Sequence, residues 1–116
     1  MILRHLAAAA ALSLAAGPAL AQDGAQLFAM QCKMCHNAAS TVMAPSLAGV
    51  AGAKIAARPD FTYSPALKSK DGAWTDANLD AFLKSPMAFA PGTRMPVSVP
   101  DDASRAAIIT YLHTLK

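Results

Sequence analysis

The chain of 116 residues contains two cysteines, and both lie in the pentapeptide CKMCH at residues 32–36. On a helical turn this spacing places the thiols of Cys32 and Cys35 on the same side, and His36 follows directly. This cluster of reactive groups constrains the fold more than any other feature of the sequence. The surrounding chain must either bridge the two thiols or build a site around them.

Three kinds of structure other than a cofactor site could use the two thiols. A disulfide across only two intervening residues would stabilise the fold little, because the loop it closes is short. A thioredoxin-like redox pair requires a preceding strand, whereas residues 24–31 (GAQLFAMQ) have the pattern of a helix. A zinc site needs about four ligands, and His113 is the only other histidine or cysteine beyond the first 21 residues.

The remaining interpretation is a c-type haem, for which C-x-x-C-H is the attachment motif. Each thiol can add to one vinyl group of the porphyrin, and His36 can then turn its imidazole toward the iron. Covalent attachment also prevents so small a chain from losing its cofactor by dissociation. The motif therefore predicts one covalent haem c held by Cys32, Cys35 and His36.

Residues 1–21 (MILRHLAAAAALSLAAGPALA) have the pattern of a secretory signal peptide. A short basic start precedes an apolar run at residues 6–16, and the triplet ALA at residues 19–21 forms a small-x-small cleavage site. An uncleaved membrane anchor is the alternative, but about 20 apolar residues are needed to cross a bilayer and this run is shorter. We predict a cleaved leader and one mature domain at residues 22–116, exported to the periplasm.

The predicted mature domain carries nine Lys or Arg residues against seven Asp and no Glu, a formal net charge of +2. This charge is too small and too dispersed to indicate nucleic-acid binding. The domain contains no second apolar span, so we expect no stable membrane insertion after cleavage. We also expect the protein to be a monomer. Its acidic residues are scattered, and no nucleophile–base or acid–base carboxylate pair is visible, so we predict no catalytic residues and no enzyme activity.

A second axial ligand to iron is predicted at Met95, in the segment PGTRMPV. Two prolines and a glycine in this segment exclude a regular helix and specify a stiff loop, which can hold a thioether in place as a ligand. Met43 and Met87 also lie in loop-like sequence, and composition alone does not exclude them. His113 falls beside the apolar stripe of the last helical segment, where a partly solvated side chain is expected.

Three helices are predicted around this site. The first begins after Asp23 and runs into CKMCH, the second begins at Thr75 with a staple between Trp74 and Leu79, and the last follows the Asp101-Asp102 pair, which complements the helix dipole. Ser85-Pro86 ends the second helix, and residues 37–59 are mainly loop. The apolar wall of the haem site is predicted to comprise Leu47, Leu67, Leu79, Phe82 and Leu83.

The chain resembles class I c-type cytochromes, of the small soluble kind, over nearly the whole mature sequence. Gly24 and Phe28 stand eight and four residues before Cys32, as in the first helix of that family. The segments APSLAGV, FTYSPAL, LKSP, FAPGTRM and RAAIITYL resemble the later elements in order. The resemblance implies an all-α cytochrome c fold, with three main helices plus short helices and long loops wrapped around one covalent haem.

The resemblance also implies roles for individual residues. His36 and Met95 would be the axial ligands, and the backbone carbonyl of Pro45 would support His36. Tyr63 and Trp74 would bond to a haem propionate; bonds to the protein backbone are the alternative. Leu67, Phe82 and Pro96 differ from the commonest family pattern, which affects the tuning of the potential rather than haem binding.

The function implied is single-electron transfer between larger redox proteins that dock transiently as donor and acceptor. Two alternatives remain: an enzyme whose open sixth position binds a small molecule, and a subunit dedicated to one dehydrogenase. The basic side chains that could form part of a docking surface are Lys33, Lys54, Lys68, Lys70, Lys84 and Arg94.

Overall fold

The structure is a computed structural model that describes residues 23–116. The predicted signal peptide at residues 1–21 therefore lies outside the described residues. Five helices occur in the described part: α1 (Gly24–Gln31), α2 (Pro65–Lys68), α3 (Asp76–Lys84), α4 (Pro86–Phe89) and α5 (Asp102–Leu112). Between residues 23 and 116, strand-like pairing is limited to one antiparallel bridge between Lys54 and Ala73. The all-α prediction of three main helices with shorter ones is confirmed.

Helices α1 and α5 cross in close contact, with the start of α1 against the middle of α5. Asp23 caps α1 as predicted, because its carboxylate accepts a hydrogen bond from the Ala25 N–H at 3.0 Å. A Cβ added at Gly24 would lie 2.8 Å from the carbonyl carbon of Ala107 and closer still to its oxygen, so only glycine allows this approach. The rings of Phe28 and Tyr111 pack with centroids 5.0 Å apart beside the crossing.

Helix α3 has the predicted start and end. The Thr75 hydroxyl accepts from the Asn78 N–H at 3.1 Å, and the two staple residues, Trp74 and Leu79, are both buried in the core. Ser85 ends α3 and also caps α4, its hydroxyl accepting from the Ala88 N–H at 3.2 Å. Met87, for which a loop was expected, is therefore helical, because Pro86 is well suited to the first turn of a new helix.

Helix α5 is tied to the chain before it and to α3 through Arg105. The Asp101 carboxylate caps α5 by accepting from the Ser104 N–H at 2.8 Å. Arg105 is buried, and its guanidinium donates to the carbonyls of Val99 at 2.9 Å and Pro100 at 3.0 Å and to the Asp80 carboxylate at 2.8 Å. Its Nη2 pairs with the Asp102 carboxylate, so every nitrogen of the buried guanidinium has a hydrogen-bond partner, which offsets its desolvation.

The connection from CKMCH to α2 is a long loop, as predicted for residues 37–59. It is fixed at its far end by backbone bonds, from Trp74 N–H to the Ala53 carbonyl at 2.7 Å and from Ile55 N–H to the Gly72 carbonyl at 3.0 Å. The side chain of Met30, on α1, is 70% exposed and does not contribute to the core. Among residues 23–116, no helix has both the length and the apolar character needed to span a bilayer. The buried apolar cluster consists of Phe28, Ile55, Trp74, Leu79, Phe82, Leu83, Val99, Ile108, Ile109 and Leu112.

Candidate cofactor site

The core of the described chain encloses a cavity of about 420 Å³. Its wall is mainly apolar, and α3, α5, the CKMCH turn and the loop that carries Met95 all contribute to it. An apolar cavity of this size in so small a domain is costly unless a group fills it. The predicted wall residues all line it: Leu47, Leu67, Leu79, Phe82 and Leu83.

Both cysteines line this cavity as free thiols, so they do not form the disulfide considered from the sequence. The turn extends α1: the Cys32 N–H donates to the Phe28 carbonyl at 2.8 Å, and the His36 N–H donates to the Cys32 carbonyl at 2.9 Å. Burial raises the pKa of the free Cys32 thiol above its ordinary value. The helical turn places both sulfurs on the wall of one cavity, as the spacing predicts.

His36 also lines the cavity, and one of its ring nitrogens is engaged. Nδ1 lies 2.9 Å from the Pro45 carbonyl oxygen, and a carbonyl can only accept, so Nδ1 carries the proton. Nε2 then has a free lone pair and can act as a metal ligand. The support by Pro45 that the family resemblance implies is thus present as a hydrogen bond.

Met95 lines the same cavity and packs, partly buried, against the apolar core. Its loop has a tight turn in which the Thr93 N–H donates to the Ala90 carbonyl at 2.9 Å, with Gly92 at a φ of 96°. Arg94 reaches across to the Thr62 carbonyl at 3.2 Å. These contacts give the loop the stiffness that its prolines and glycine predict.

The other sulfur and imidazole candidates are placed differently. Met43 lines the cavity but is 71% exposed. Met87 is exposed on α4 and does not line the cavity. His113 ends α5, where its Nε2 lies 2.6 Å from the Asp76 carboxylate, so the partly solvated position expected for it is confirmed. Met95 is therefore the one methionine of the described chain that is both partly buried and on the cavity wall.

Tyr63 and Trp74 lie on the cavity wall as well. The Trp74 indole is buried against the ring of Phe82, with centroids 5.0 Å apart. Burial raises the pKa of the Tyr63 hydroxyl, while a hydrogen bond from the Arg58 backbone opposes this shift. The Tyr63 hydroxyl is therefore a neutral group that can donate a hydrogen bond toward the cavity at physiological pH.

These residues fit a covalent haem better than a bare metal ion. Two thiols, an imidazole with a free Nε2 and a thioether surround one apolar cavity, as a porphyrin with two axial positions requires. Residues 23–116 contain no group of three or more His, Cys, Asp or Glu side chains that could hold a metal ion. The zinc alternative therefore has no ligand set in this part of the chain.

Several features near the cavity were not anticipated from the sequence. Phe61 lines the cavity and packs edge-on against Tyr63 with centroids 4.9 Å apart, and Ser64 and Thr93 are buried polar residues of the wall. Ser64 accepts from the Leu67 N–H as the cap of α2. The pair Ser64-Pro65 is a helix-start signal that could have predicted this short helix.

The basic side chains considered for docking are on the surface. Lys33, Lys54, Lys68, Lys84 and Arg94 are exposed. Lys70 is less exposed because its ammonium lies 4.7 Å from the centre of the Phe89 ring. Two of the exposed residues are next to the cofactor site in sequence. Lys33 lies within CKMCH, which ends at His36, and Arg94 directly precedes Met95.

Comparison with known proteins identifies the family. A family model described as Cytochrome c matches residues 21–116. The chain is 42% identical over 97 residues to "Cytochrome c-type cyt cy" of Rhodobacter capsulatus, a match that covers 82% of this chain and 49% of that protein. It is 39% identical over 95 residues to cytochrome c2 of Rhodomicrobium vannielii, covering 78% of this chain and 75% of the relative. The chain thus spans about half the length of the Rhodobacter protein and most of the other.

A solved structure, cytochrome cH from Methylobacterium extorquens, superposes with a TM-score of 0.74 at 36% identity. The match covers 81% of this chain and 97% of that one. The family model spans every described residue, and the attachment motif lies on the wall of the apolar cavity. The chain therefore belongs to the cytochrome c family, has its all-α fold and carries covalently bound haem c.

Proposed function

We propose that this chain is a periplasmic single-electron carrier in which His36 and Met95 are the axial ligands of the haem. One observation carries the proposal: Cys32, Cys35, His36 and Met95 all line a single apolar cavity. The cytochrome c family assignment supports the electron-carrier role. The residues proposed to contact the haem are Cys32, Cys35, His36, Pro45, Tyr63, Trp74 and Met95.

When bound, haem c supplies a one-electron couple. The protein favours this use by fixing both axial side chains from opposite parts of the chain. His36 is oriented by its bond to Pro45, and Met95 is carried on a loop held by Arg94 and by the turn at Thr93. Ligands held in this way need not move during a change of oxidation state, and thioether ligation raises the potential.

The apolar wall is the second contribution of the protein. Leu79, Phe82 and Leu83 project from α3 into the core and shield the site from water. A site of low polarity disfavours additional charge, so it stabilises the reduced iron relative to the oxidised one. Within this proposal the protein needs no catalytic residue, and it acts as a carrier rather than an enzyme.

Docking partners are proposed to be a larger electron donor and acceptor that bind transiently to the monomer. The exposed basic side chains and the net charge of +2 at residues 22–116 favour partners with acidic surfaces, through patches rather than long-range steering.

Export is proposed from the leader-like pattern of residues 1–21. N-terminal sequencing of the protein from the producing cell tests it: a start at Gln22 supports cleavage, and retention of Met1 in membranes contradicts it.

The substitution Met95→Ala tests the axial assignment. We expect it to remove the weak charge-transfer band of Met–Fe(III) ligation, lower the potential and allow the reduced protein to bind carbon monoxide. Met43→Ala is the matched control, because Met43 lines the same cavity but is mostly exposed. It should leave the spectrum unchanged.

The opposite result would contradict the electron-carrier function. Rapid carbon monoxide binding by the unmodified chain, together with an unchanged spectrum in Met95→Ala, would mean that the sixth position is open. The chain would then be better described as a small-molecule-binding haem enzyme.

A further inference from the structure

The peptide group between Pro45 and Ser46 is hydrogen-bonded at both of its ends. Its carbonyl oxygen accepts from Nδ1 of His36 at 2.9 Å, and its N–H donates to the hydroxyl oxygen of Ser40 at 2.8 Å. Ser46 is buried and Ser40 is half-buried, so water competes little for these bonds. The imidazole of His36 and the hydroxyl of Ser40 are therefore connected through a single planar peptide.

Hydrogen bonds in such a chain polarise one another. When the N–H of a peptide donates to an acceptor, electron density shifts toward its carbonyl oxygen, which becomes a stronger acceptor. A stronger acceptor at Nδ1 gives the histidine more imidazolate character, and outer-shell partners of this kind raise the basicity of a ligating histidine. The Ser40 hydroxyl is thus placed to affect His36 without contacting it.

Ser40 is itself held in place from its other side. On this side Ser40 lies near Asp60 and helps to lower the pKa of that carboxyl. The Asp60 carboxylate is clamped by Arg58 through Nε at 3.1 Å and Nη2 at 3.0 Å. The bond from Arg58 is the main cause that holds the pKa of the Asp60 carboxyl below its usual value; burial, the next largest cause, opposes it, and Ser40 adds a smaller lowering. Arg58 also donates to the Ala48 carbonyl at 3.3 Å, which ties the ion pair to the loop beyond Pro45.

We propose that Ser40 is a positioning residue that sets the donor strength of His36 through the Pro45–Ser46 peptide. The inference rests on the proposed function, in which His36 is an axial ligand. Removing the hydroxyl weakens the bond at Nδ1 and makes His36 a poorer electron donor. The oxidised iron loses more stabilisation than the reduced iron, so the reduction potential rises.

The experiment compares Ser40→Ala with Ser40→Thr in the full chain with haem attached. Thr41→Val is the matched control: the Thr41 hydroxyl accepts from the N–H groups of Met43 at 3.2 Å and Ala44 at 3.4 Å in the same loop, but not from Ser46. Two quantities are measured, the reduction potential and the NMR shift of the His36 Nδ1 proton in the reduced protein. A purely structural loosening of the loop would affect all variants alike.

We expect Ser40→Ala to raise the reduction potential and move the resonance of the His36 Nδ1 proton upfield. Ser40→Thr keeps a hydroxyl and should leave the potential and the proton shift close to those of the unmodified protein. Thr41→Val should change neither quantity. Asp60→Asn keeps Ser40 in place and should give a smaller shift in the same direction, so the proposal stays testable if Ser40→Ala folds poorly. Unchanged values in both Ser40→Ala and Asp60→Asn would overturn the inference, as would an equal shift in Thr41→Val. The Met–Fe(III) band of the same samples reports separately on the proposed function: its absence from the unmodified protein would contradict the proposed His36/Met95 ligation, whatever the Ser40 variants show.

Discussion

The two sides of the cavity are held by different kinds of contact. On the side of His36, the key bonds join residues close in sequence: His36 to Pro45 over nine positions and Ser46 to Ser40 over six. On the side of Met95, the loop is fixed by bonds to remote segments. Arg94 reaches Thr62 over 32 positions, and the Val99 N–H donates to the Leu83 carbonyl at 2.8 Å.

This difference predicts the order in which the two sides of the site come apart when the protein unfolds. The histidine side is built from the CKMCH turn and the first part of the following loop, up to Ser46, so it needs little of the remaining fold to form. The methionine side depends on α3 and α5 being in place, because Arg105 on α5 holds the carbonyls of Val99 and Pro100. A segment held by such contacts can open locally at a lower free-energy cost than unfolding of the whole domain. We therefore expect the Met95 loop to detach before His36 does.

The largest effect is expected from breaking the histidine side at its covalent anchor. The double substitution Cys32→Ser with Cys35→Ser removes both attachment points, so almost no haem should remain after acid–acetone extraction. The apolar cavity of about 420 Å³ would then lose its filling group, and ordered structure should be largely lost as well. Absorption spectra and circular dichroism measure the two losses.

Met34→Ala is the control for this experiment, because Met34 lies inside CKMCH but is 85% exposed. It should retain haem and fold normally. A double-serine variant that keeps haem through extraction would contradict covalent attachment at these positions.

The next largest effect is expected from the α1–α5 crossing, which serves both sides. Gly24→Ala forces a Cβ against the Ala107 carbonyl, and overpacking of this kind costs about 1–3 kcal/mol. Because α1 leads into Cys32 and α5 carries Arg105, the positions of both proposed ligands, His36 and Met95, should be destabilised together. Chemical denaturation followed at the Met–Fe(III) band and by circular dichroism should show both transitions shifted to lower denaturant.

Ala29→Ser, at an exposed position of α1, is the control for helix propensity and should cost much less. A Gly24→Ala protein as stable as this control would show that the helices separate without penalty.

A smaller and more selective effect is expected from Arg105→Lys. A lysine keeps the charge but cannot bond simultaneously to Asp80 and to the carbonyls of Val99 and Pro100, which the guanidinium fork does. The Met–Fe(III) band should therefore be lost at lower denaturant or temperature, well before helix content falls. This separation between the two signals measures how independent the Met95 loop is.

Arg58→Lys is the matched control, because Arg58 binds a carboxylate and one carbonyl on the opposite side of the site. It should not lower the stability of the Met–Fe(III) band. Equal loss of that band in both variants would contradict the division into two independently held sides.

The smallest effect concerns the cap of α5 and depends on pH. Hydrogen bonds from the Ser104 hydroxyl and then from the Ser104 N–H lower the pKa of Asp101 below its ordinary value of 3.8, with burial opposing. A carboxyl whose pKa is lower in the folded state stabilises the fold above its unfolded pKa, and this stabilisation is lost as the pH falls through the folded pKa. The stability difference between the unmodified protein and Asp101→Asn should therefore be full at pH 7 and shrink below about pH 4.

Denaturation curves at several pH values test this dependence. Asp71→Asn is a suitable control, because Asp71 is exposed outside the helices. A gap for Asp101→Asn that stays constant down to acid pH would mean that the charge of Asp101 contributes nothing to the cap.

Much of the framework could be predicted from the sequence because its signals are local. The thiol spacing in CKMCH, the helix starts at Asp23 and Thr75, the acidic pair Asp101-Asp102 before the last helix, and the stop at Ser85-Pro86 each depend on only a few adjacent residues. The choice of Met95 over the other methionines also had a local signal in its flanking prolines. Its role as an axial ligand, like the cleavage after Ala21, remains a prediction.

What the sequence by itself determined is therefore the chemistry of the site and the positions of the main helices, since attachment motifs and helix caps act over one or two turns. The tertiary structure decided which side chains share the cavity and what holds them there. The burial of Arg105 against carbonyls near Met95, and the connection from Ser40 to His36 through one peptide, join groups whose pairing has no sequence pattern. Such contacts depend on where the folded backbone brings its free N–H and C=O groups, and the packing of the whole domain sets those positions.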